Sequence, residues 1–598
     1  MPACRTNGYA PIRDYAALGD GRTTALVARD GSIDWLPLPD LDSSTVFAAL
    51  LDPERGGRFE LRPELPFRTS RRYLPGTNVL ETTFITDAGV VRVSDALTLP
   101  DDQLTPYREL QRKIDGLSGR VTLRWRVEPR FGYAAWSTKV AHRKGIATAS
   151  AGSNAVALQA VEAGEPTLGD ERIAGRFEAA EGSTALLALS FAHQEPLVFP
   201  TAGELVARLD ATSDSWRRWA EHRRYEGPWH EAVIRSALAL KLLVYAPSGA
   251  IAAAATAALP EVIGGERNWD YRYSWIRDSA FTIDAFLQLG CPAEAQAYFW
   301  WLMHATQLTH PRLHVLYRLD GGTRVHEHEL PLAGYRGSRP VKVGNGAAEQ
   351  LQLDTYGELM QTVWLYSRDG NELDRDVARR FVRIADHVCA NWRQPDAGIW
   401  EVRSEPLHFT QSKMLCAVAL DRAAQLADQG QLPEKHATAW RREAAAIRSF
   451  VDGNCWSQEK RSYVRFAGGN ELDASLLLAA LHEYAPPDDE RIRLTVDAIE
   501  RELAHGPYVH RYTGADGLAG REGAFLACSF WLAEALARTG RVDDAVQLME
   551  QLLGLANDVG LYSEEIDPGS GEFLGNIPQG LSHLALISAA GAITEAQR

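Results

Sequence analysis

Residues 229–246 read WHEAVIRSALALKLLVYA, with apolar side chains returning every three to four positions. That is the period of a helix with a buried face. Upstream of Pro228 the period is two. Asn78–Leu99 (NVLETTFITDAGVVRVSDALTL) alternates on both sides of an Asp-Ala-Gly turn, Val121–Val127 (VTLRWRV) alternates strictly, and Ser183–Phe191 (STALLALSF) is a short apolar run. Alternation interrupted by Gly and Pro predicts an antiparallel β-sandwich. The change of period divides the chain into a sandwich over 1–220, a linker over 221–228 and a helical part over 229–598.

Twelve stretches carry the helical period: 229–246, 278–290, 293–308, 349–368, 373–394, 410–428, 434–453, 473–484, 489–503, 524–539, 542–556 and 578–591. Links from an even helix to the next odd one are short: Gly290 to Pro292, Asp369 to Glu372, Gly430 to Pro433, Pro486 to Asp488, and Gly540 to Arg541. Links from odd to even are long, at 247–277, 309–348, 395–409, 454–472, 504–523 and 557–577. If neighbouring helices run antiparallel, every long link emerges at one end. Twelve helices closing on themselves form an (α/α)6 barrel with six long loops around one mouth. Long ordered loops on a rigid scaffold are where sites are built.

Composition narrows the chemistry. A chain of 598 residues is too long for one ordinary core, and its 45% hydrophobic and 24% charged content is that of a globular protein. A formal charge of -15 argues against nucleic acid or an anionic membrane as partner. No apolar leader follows Met1, and runs such as Ile251–Pro260 are too short to span a bilayer. The six cysteines are scattered without a C-x-x-C pair, which predicts free thiols and a cytoplasmic protein. Sixteen Trp residues exceed ordinary usage. Indole stacks on the flat apolar face of a sugar, although core filling accounts for most tryptophans.

The first long loop carries Gly264-Gly265-Glu266-Arg267-Asn268-Trp269-Asp270-Tyr271-Arg272-Tyr273-Ser274-Trp275-Ile276-Arg277-Asp278. Aromatic faces beside Arg and Asp suit vicinal hydroxyls. An equally open reading makes Asp278 the cap of the second helix. The third loop holds Ile399-Trp400-Glu401-Val402-Arg403, and the sixth Ser563-Glu564-Glu565-Ile566-Asp567. Two carboxyls on loops facing across one mouth are what glycoside hydrolysis needs. One, its proton affinity raised by an apolar neighbour such as Trp400, protonates the leaving oxygen, and the other activates water or attacks the sugar. A lone loop Glu is usually a solvated charge. His326-Glu327-His328 lacks a third placed ligand, so no metal site is expected. No Walker loop, dinucleotide loop or Gly-x-Ser-x-Gly elbow occurs, and no cofactor is expected.

Taken in order, these motifs resemble glycoside hydrolase family 15, which includes glucoamylases, glucodextranases, isomaltose-type glucohydrolases and one class of trehalase. The resemblance covers nearly the whole chain. It rests on Gly31–Leu36 with Asp42-Ser43, Asn268–Asp278, Arg339-Pro340, Gly398–Arg403 with His408-Phe409, Leu472–Ser475, Phe530-Trp531, and Gly575-Asn576 with Pro578-Gln579 and Ser582–Leu584. Gln411 and Gly580 stand where the family commonly has His and Ala.

The resemblance implies that Glu401 is the general acid and Glu564 the general base. It implies that Tyr271, Trp275 and Trp400 line a glucose subsite, and that Arg277, Asp278 and Arg511, beside Tyr512, hold the sugar. It further implies an inverting exo-hydrolase releasing β-glucose from small α-1,4- or α-1,6-linked gluco-oligosaccharides, with α,α-trehalase as the alternative. Phosphorolysis would dispense with Glu564, and a binding protein would lack the carboxyl pair altogether.

Overall fold

The computed structural model describes residues 5–99, 108–514 and 522–598. Its N-terminal part is a sandwich whose strand pairs are all antiparallel. The hairpin expected in 78–99 is present: Leu80–Thr86 pairs with Gly89–Leu97, closing at Thr86↔Gly89. The two sheets share the strand Glu109–Val127. Its first half pairs with Gly89–Leu97 and Thr184–His193, and its second half with Phe59–Pro63 and Arg172–Ala180. The crossing lies at Gly116–Gly119. Gly119 has φ +65°, and a Cβ there would sit 2.2 Å from the Ala88 carbonyl oxygen, so only glycine fits the bend.

The polypeptide from 202 to 221 departs from the sandwich expected to reach residue 220. Ala202–Glu221 is a helix, started by a Thr201/Glu204 capping box and buried through Leu205, Leu209 and Trp216.

Twelve α-helices follow among the described residues: α1 His230–Leu243, α2 Ser279–Gln288, α3 Pro292–Gln307, α4 Asp354–Arg368, α5 Arg375–Asn391, α6 Thr410–Asp428, α7 Ala437–Asn454, α8 Leu478–Leu481 with a leading 3-10 turn Ala474–Leu477, α9 Glu490–Leu503, α10 Leu526–Arg538, α11 Val542–Leu553 and α12 Gly580–Ala596. The even helices pack in sequence, α2 on α4, α4 on α6, then α8, α10 and α12, and α12 returns to α2. This is an (α/α)6 barrel.

The two rings follow from composition. Outer helices bury one stripe: α5 turns in Val377, Phe381, Ile384, Ala385 and Val388, and Asp374 caps it by accepting from the amides of Asp376 and Val377. Each large apolar side chain buried in this way stabilises by roughly 1.5–3 kcal/mol. Inner helices meet the outer ring on one side and the barrel axis on the other, so α10 buries every residue from Leu526 to Ala537. The eighth helix is shorter than the expected 473–484 and ends ahead of Pro486-Pro487. Of the cysteines, Cys4 lies outside the described residues; the other five are free, and all but Cys389 are buried.

The sandwich docks behind the first long loop. Trp35 Nε1 donates to the Ala255 carbonyl (2.9 Å), and Arg272, buried in an ion pair with Asp270, donates to the Ser43 carbonyl (2.6 Å). No described residue before α1 lines the cavity at the mouth. The sandwich buttresses the loop that does.

Candidate active site

Five of the six long loops converge on one cavity of about 60 Å³. The first contributes Glu261, Arg267, Trp269, Tyr271 and Arg277, and the second Asn345 and Ala347. The third supplies Ile399 to Arg403, the fifth Arg511 and Tyr512, and the sixth Glu564. Asp278, Phe525 and Gln579 reach in from the starts of inner helices. Of the expected residues, Glu401, Glu564, Tyr271, Arg277, Asp278, Trp400 and Arg511 therefore meet around one space.

Trp275 does not line it. Its ring is 1% exposed, and its indole N–H donates to Glu401 Oε1 at 2.6 Å. Arg277 Nη1 reaches the same oxygen at 3.1 Å and also donates to the Ile399 carbonyl at 2.9 Å. Both donors thus engage the same oxygen, Oε1. Glu401 has φ +57°, a left-handed backbone that costs a non-glycine residue about 1–2 kcal/mol. The turn is held by Glu401 N–H to the Gly398 carbonyl (3.1 Å), Val402 N–H to the Ala397 carbonyl (3.2 Å) and Gln350 Nε2 to the Glu401 carbonyl (3.3 Å).

Asp278 stands at the first residue before α2 yet makes no side-chain cap. Its carboxylate meets Arg277 Nε at 3.3 Å instead, and burial, opposed by Arg277, pushes its proton affinity up to about pKa 6. Trp400 is anchored by its N–H on Asp473 (2.9 Å) and packs against Phe525 and Trp531.

Glu564 is 1% exposed. Its amide donates to the Asn576 carbonyl (3.1 Å), its carbonyl accepts from Leu526 (3.0 Å), and its carboxyl is approached by the Asn576 amide and Tyr271. Asn576 ties this loop to the first one, donating from Nδ2 to the Trp269 carbonyl (3.0 Å) and accepting from Thr256 (2.8 Å). Burial raises the proton affinity of Glu564 above the usual carboxylate range, the charge of Glu261 adds to this, and Arg511 opposes it.

Arg511 is not free to reach a sugar unaided. Its Nη2 contacts Glu522 (2.7 Å), Glu261 (3.0 Å) and Glu565 (3.6 Å). Among the described residues, these three acids are the one group whose oxygens, within 4.8 Å of one another, could hold a metal. The guanidinium lies among them and supplies the positive charge that a cation would otherwise bring. Glu327 of the His-Glu-His stretch forms ion pairs with Arg403 (2.8 Å) and Lys342 (3.6 Å), and both cations lie over the Trp269 ring.

Sequence reasoning missed Glu261, Glu522, Glu565 and Arg403 as parts of this region. Glu565, next to Glu564, and Arg403, two residues after Glu401, lay in motifs already singled out but were given no role, whereas Glu261 and Glu522 carried no local signal.

The family described as Glycosyl hydrolases family 15 matches residues 227–591, and a second family, Trehalase-like, N-terminal, matches residues 6–164. A trehalase of Mycolicibacterium smegmatis is 39% identical, covering 99% of this chain and 92% of that protein. One from Mycobacterium tuberculosis is 38% identical over 99% and 91%, and one from Thermoplasma volcanium 34% over 98% and 94%. A crystal structure of a bacterial glucoamylase complexed with acarbose superposes with a TM-score of 0.75 at 14% identity, covering 99% of this chain and 96% of that one, a likeness of fold. No described helix is long and apolar enough to cross a membrane. With the family matched across the whole barrel and relatives aligned end to end, the chain belongs to glycosyl hydrolases family 15 and is a glycoside hydrolase acting on a sugar.

Proposed function

We propose that the protein hydrolyses α,α-trehalose with inversion, Glu401 acting as general acid and Glu564 as general base. The observation that carries the choice of substrate is the set of relatives named trehalase, aligned over nearly the full length and matched in the N-terminal part as well as the barrel. The motifs alone put α-1,4- and α-1,6-linked gluco-oligosaccharides first and trehalose second; these relatives reverse that order.

One glucose enters the cavity against Tyr271, Trp400, Arg277 and Asp278. Glu401 gives its proton to the bridging oxygen as the C1–O bond breaks. A water attacks C1 from the opposite face and passes a proton to Glu564. Water is consumed, the attacked ring leaves as β-glucose, and the departing ring leaves as α-glucose. Inversion requires the carboxyls to stand roughly 6.5–9.5 Å apart, with room for that water.

The test is a panel of trehalose, maltose and isomaltose at equal concentration, with proton NMR of the first products. Trehalose should be cleaved fastest, and the two glucose anomers should appear in equal amounts before mutarotation. Faster cleavage of maltose or isomaltose would overturn the substrate, and α-glucose alone would overturn the stereochemistry.

A further inference from the structure

Glu261 follows Pro260 in the first long loop, is 1% exposed, and has one oxygen, Oε1, without a hydrogen-bond partner. Its other oxygen takes Arg511 Nη2 at 3.0 Å. The strand Ala257–Pro260 that leads into it is stitched to the loop of Glu564, since the Gly575 amide donates to the Pro260 carbonyl at 2.8 Å. Gly575 packs so closely on Glu564 that a Cβ there would lie 2.4 Å from Glu564 Oε2.

Around Glu261 stand the carboxyls of Glu522, Glu564 and Glu565 and the guanidiniums of Arg511 and Arg267. The hydroxyls of Tyr271 and Tyr512 border the same cluster. On its outer side His505, His510, Asp567 and Glu572 share a groove with it. Four largely buried carboxyls therefore face two guanidiniums. Like charges this close in a low-dielectric site do not all ionise together, so the cluster keeps protons that isolated carboxyls would lose.

We propose that Glu261 is a positioning residue for the reaction: it competes with Glu564 for the charge of Arg511 and so sets the pH at which Glu564 becomes a working base. The inference rests on Glu564 being that base. A base acts only when ionised, so the rate falls as pH drops through its pKa. A neighbouring negative charge raises that pKa, and neutralising the neighbour lowers it.

In Glu261→Gln, which keeps the shape and the acceptor for Arg511, the acid limb of kcat/KM should move to lower pH by about one unit. Glu261→Asp, which keeps the charge, should hold the limb near its wild-type position. A Glu261→Gln limb that coincides with wild type, or an Asp variant that shifts as far as the Gln one, overturns the proposal.

Infrared spectra of the wild-type protein without substrate make the same test independently of how any Glu261 variant folds. The C=O band of protonated carboxyl should persist above the ordinary carboxylate range and weaken in Glu564→Gln. A wild-type band lost entirely within the ordinary range overturns the proposal. An inactive Glu564→Gln combined with an unmoved Glu261→Gln limb rejects this inference alone, whereas an active Glu564→Gln rejects the base assignment with it.

Discussion

Replacing Gly575 with Ala tests the placement of Glu564, the proposed base, with a single methyl group. Gly575 has φ +68°, and the new Cβ would meet Glu564 Oε2 at 2.4 Å and Glu564 Cβ at 2.6 Å. Two costs follow. The left-handed conformation costs alanine about 1–2 kcal/mol. To restore an ordinary contact the carboxylate must also retreat by about 1 Å, and a displacement of that size at a reacting group lowers turnover by about 100-fold. Gly575 does not line the cavity, so KM for the proposed substrate trehalose should stay close to wild type while kcat falls. Steady-state kinetics beside a thermal melt separate the two costs. A folded variant whose kcat lies within about threefold of wild type would refute the reasoning, because Glu564 could then shift without consequence to the rate-limiting chemistry.

Trp275→Phe keeps the ring and removes the N–H that donates to Glu401 at 2.6 Å. A hydrogen bond to a charged group contributes about 1.5–3 kcal/mol, so kcat should fall by about 10- to 150-fold with little change in KM; a raised KM with kcat preserved would mean instead that the ring touches the sugar. Arg272→Met leaves Asp270 buried without its partner and cuts the hydrogen bond to the sandwich at Ser43. Denaturant unfolding should register a loss of about 3–5 kcal/mol, and an unchanged midpoint would show that the first loop holds without this tie.

The barrel was legible because its two rings impose different patterns: stripes outside, apolar all round inside, and long links at one end. The helix Ala202–Glu221 was legible in principle, since Thr201 and Glu204 form a readable cap and Leu205, Leu209 and Trp216 recur at helical spacing. It was hidden because the stripe is narrow and the stretch otherwise polar, which reads as more sandwich edge.

At the site, side-chain type could be read but direction could not. Trp275 sits in a loop whose path turns the indole behind the acid, and no spacing rule conveys that. Glu261 sits at the end of the apolar run Ile251–Pro260, and what makes it important is Arg511, 250 positions away. A local reading has no access to that contact.

In the proposed mechanism the two carboxyls change charge in opposite directions. Glu401 becomes a carboxylate as the bond breaks, and the groups on it are Arg277 and the Trp275 N–H, both hydrogen-bond donors. Glu564 must become a neutral acid as it takes the water's proton. Its surroundings are burial and the neighbouring acids Glu261 and Glu565, which favour the neutral form. Each carboxyl is thus surrounded by what stabilises the product of its own proton transfer. Glu564, the proposed base, is the one walled in by further glutamates. Burial beside other acids strengthens a carboxylate as a base, and the sixth loop, tied to the first by the Gly575 N–H on the Pro260 carbonyl, contributes to that burial.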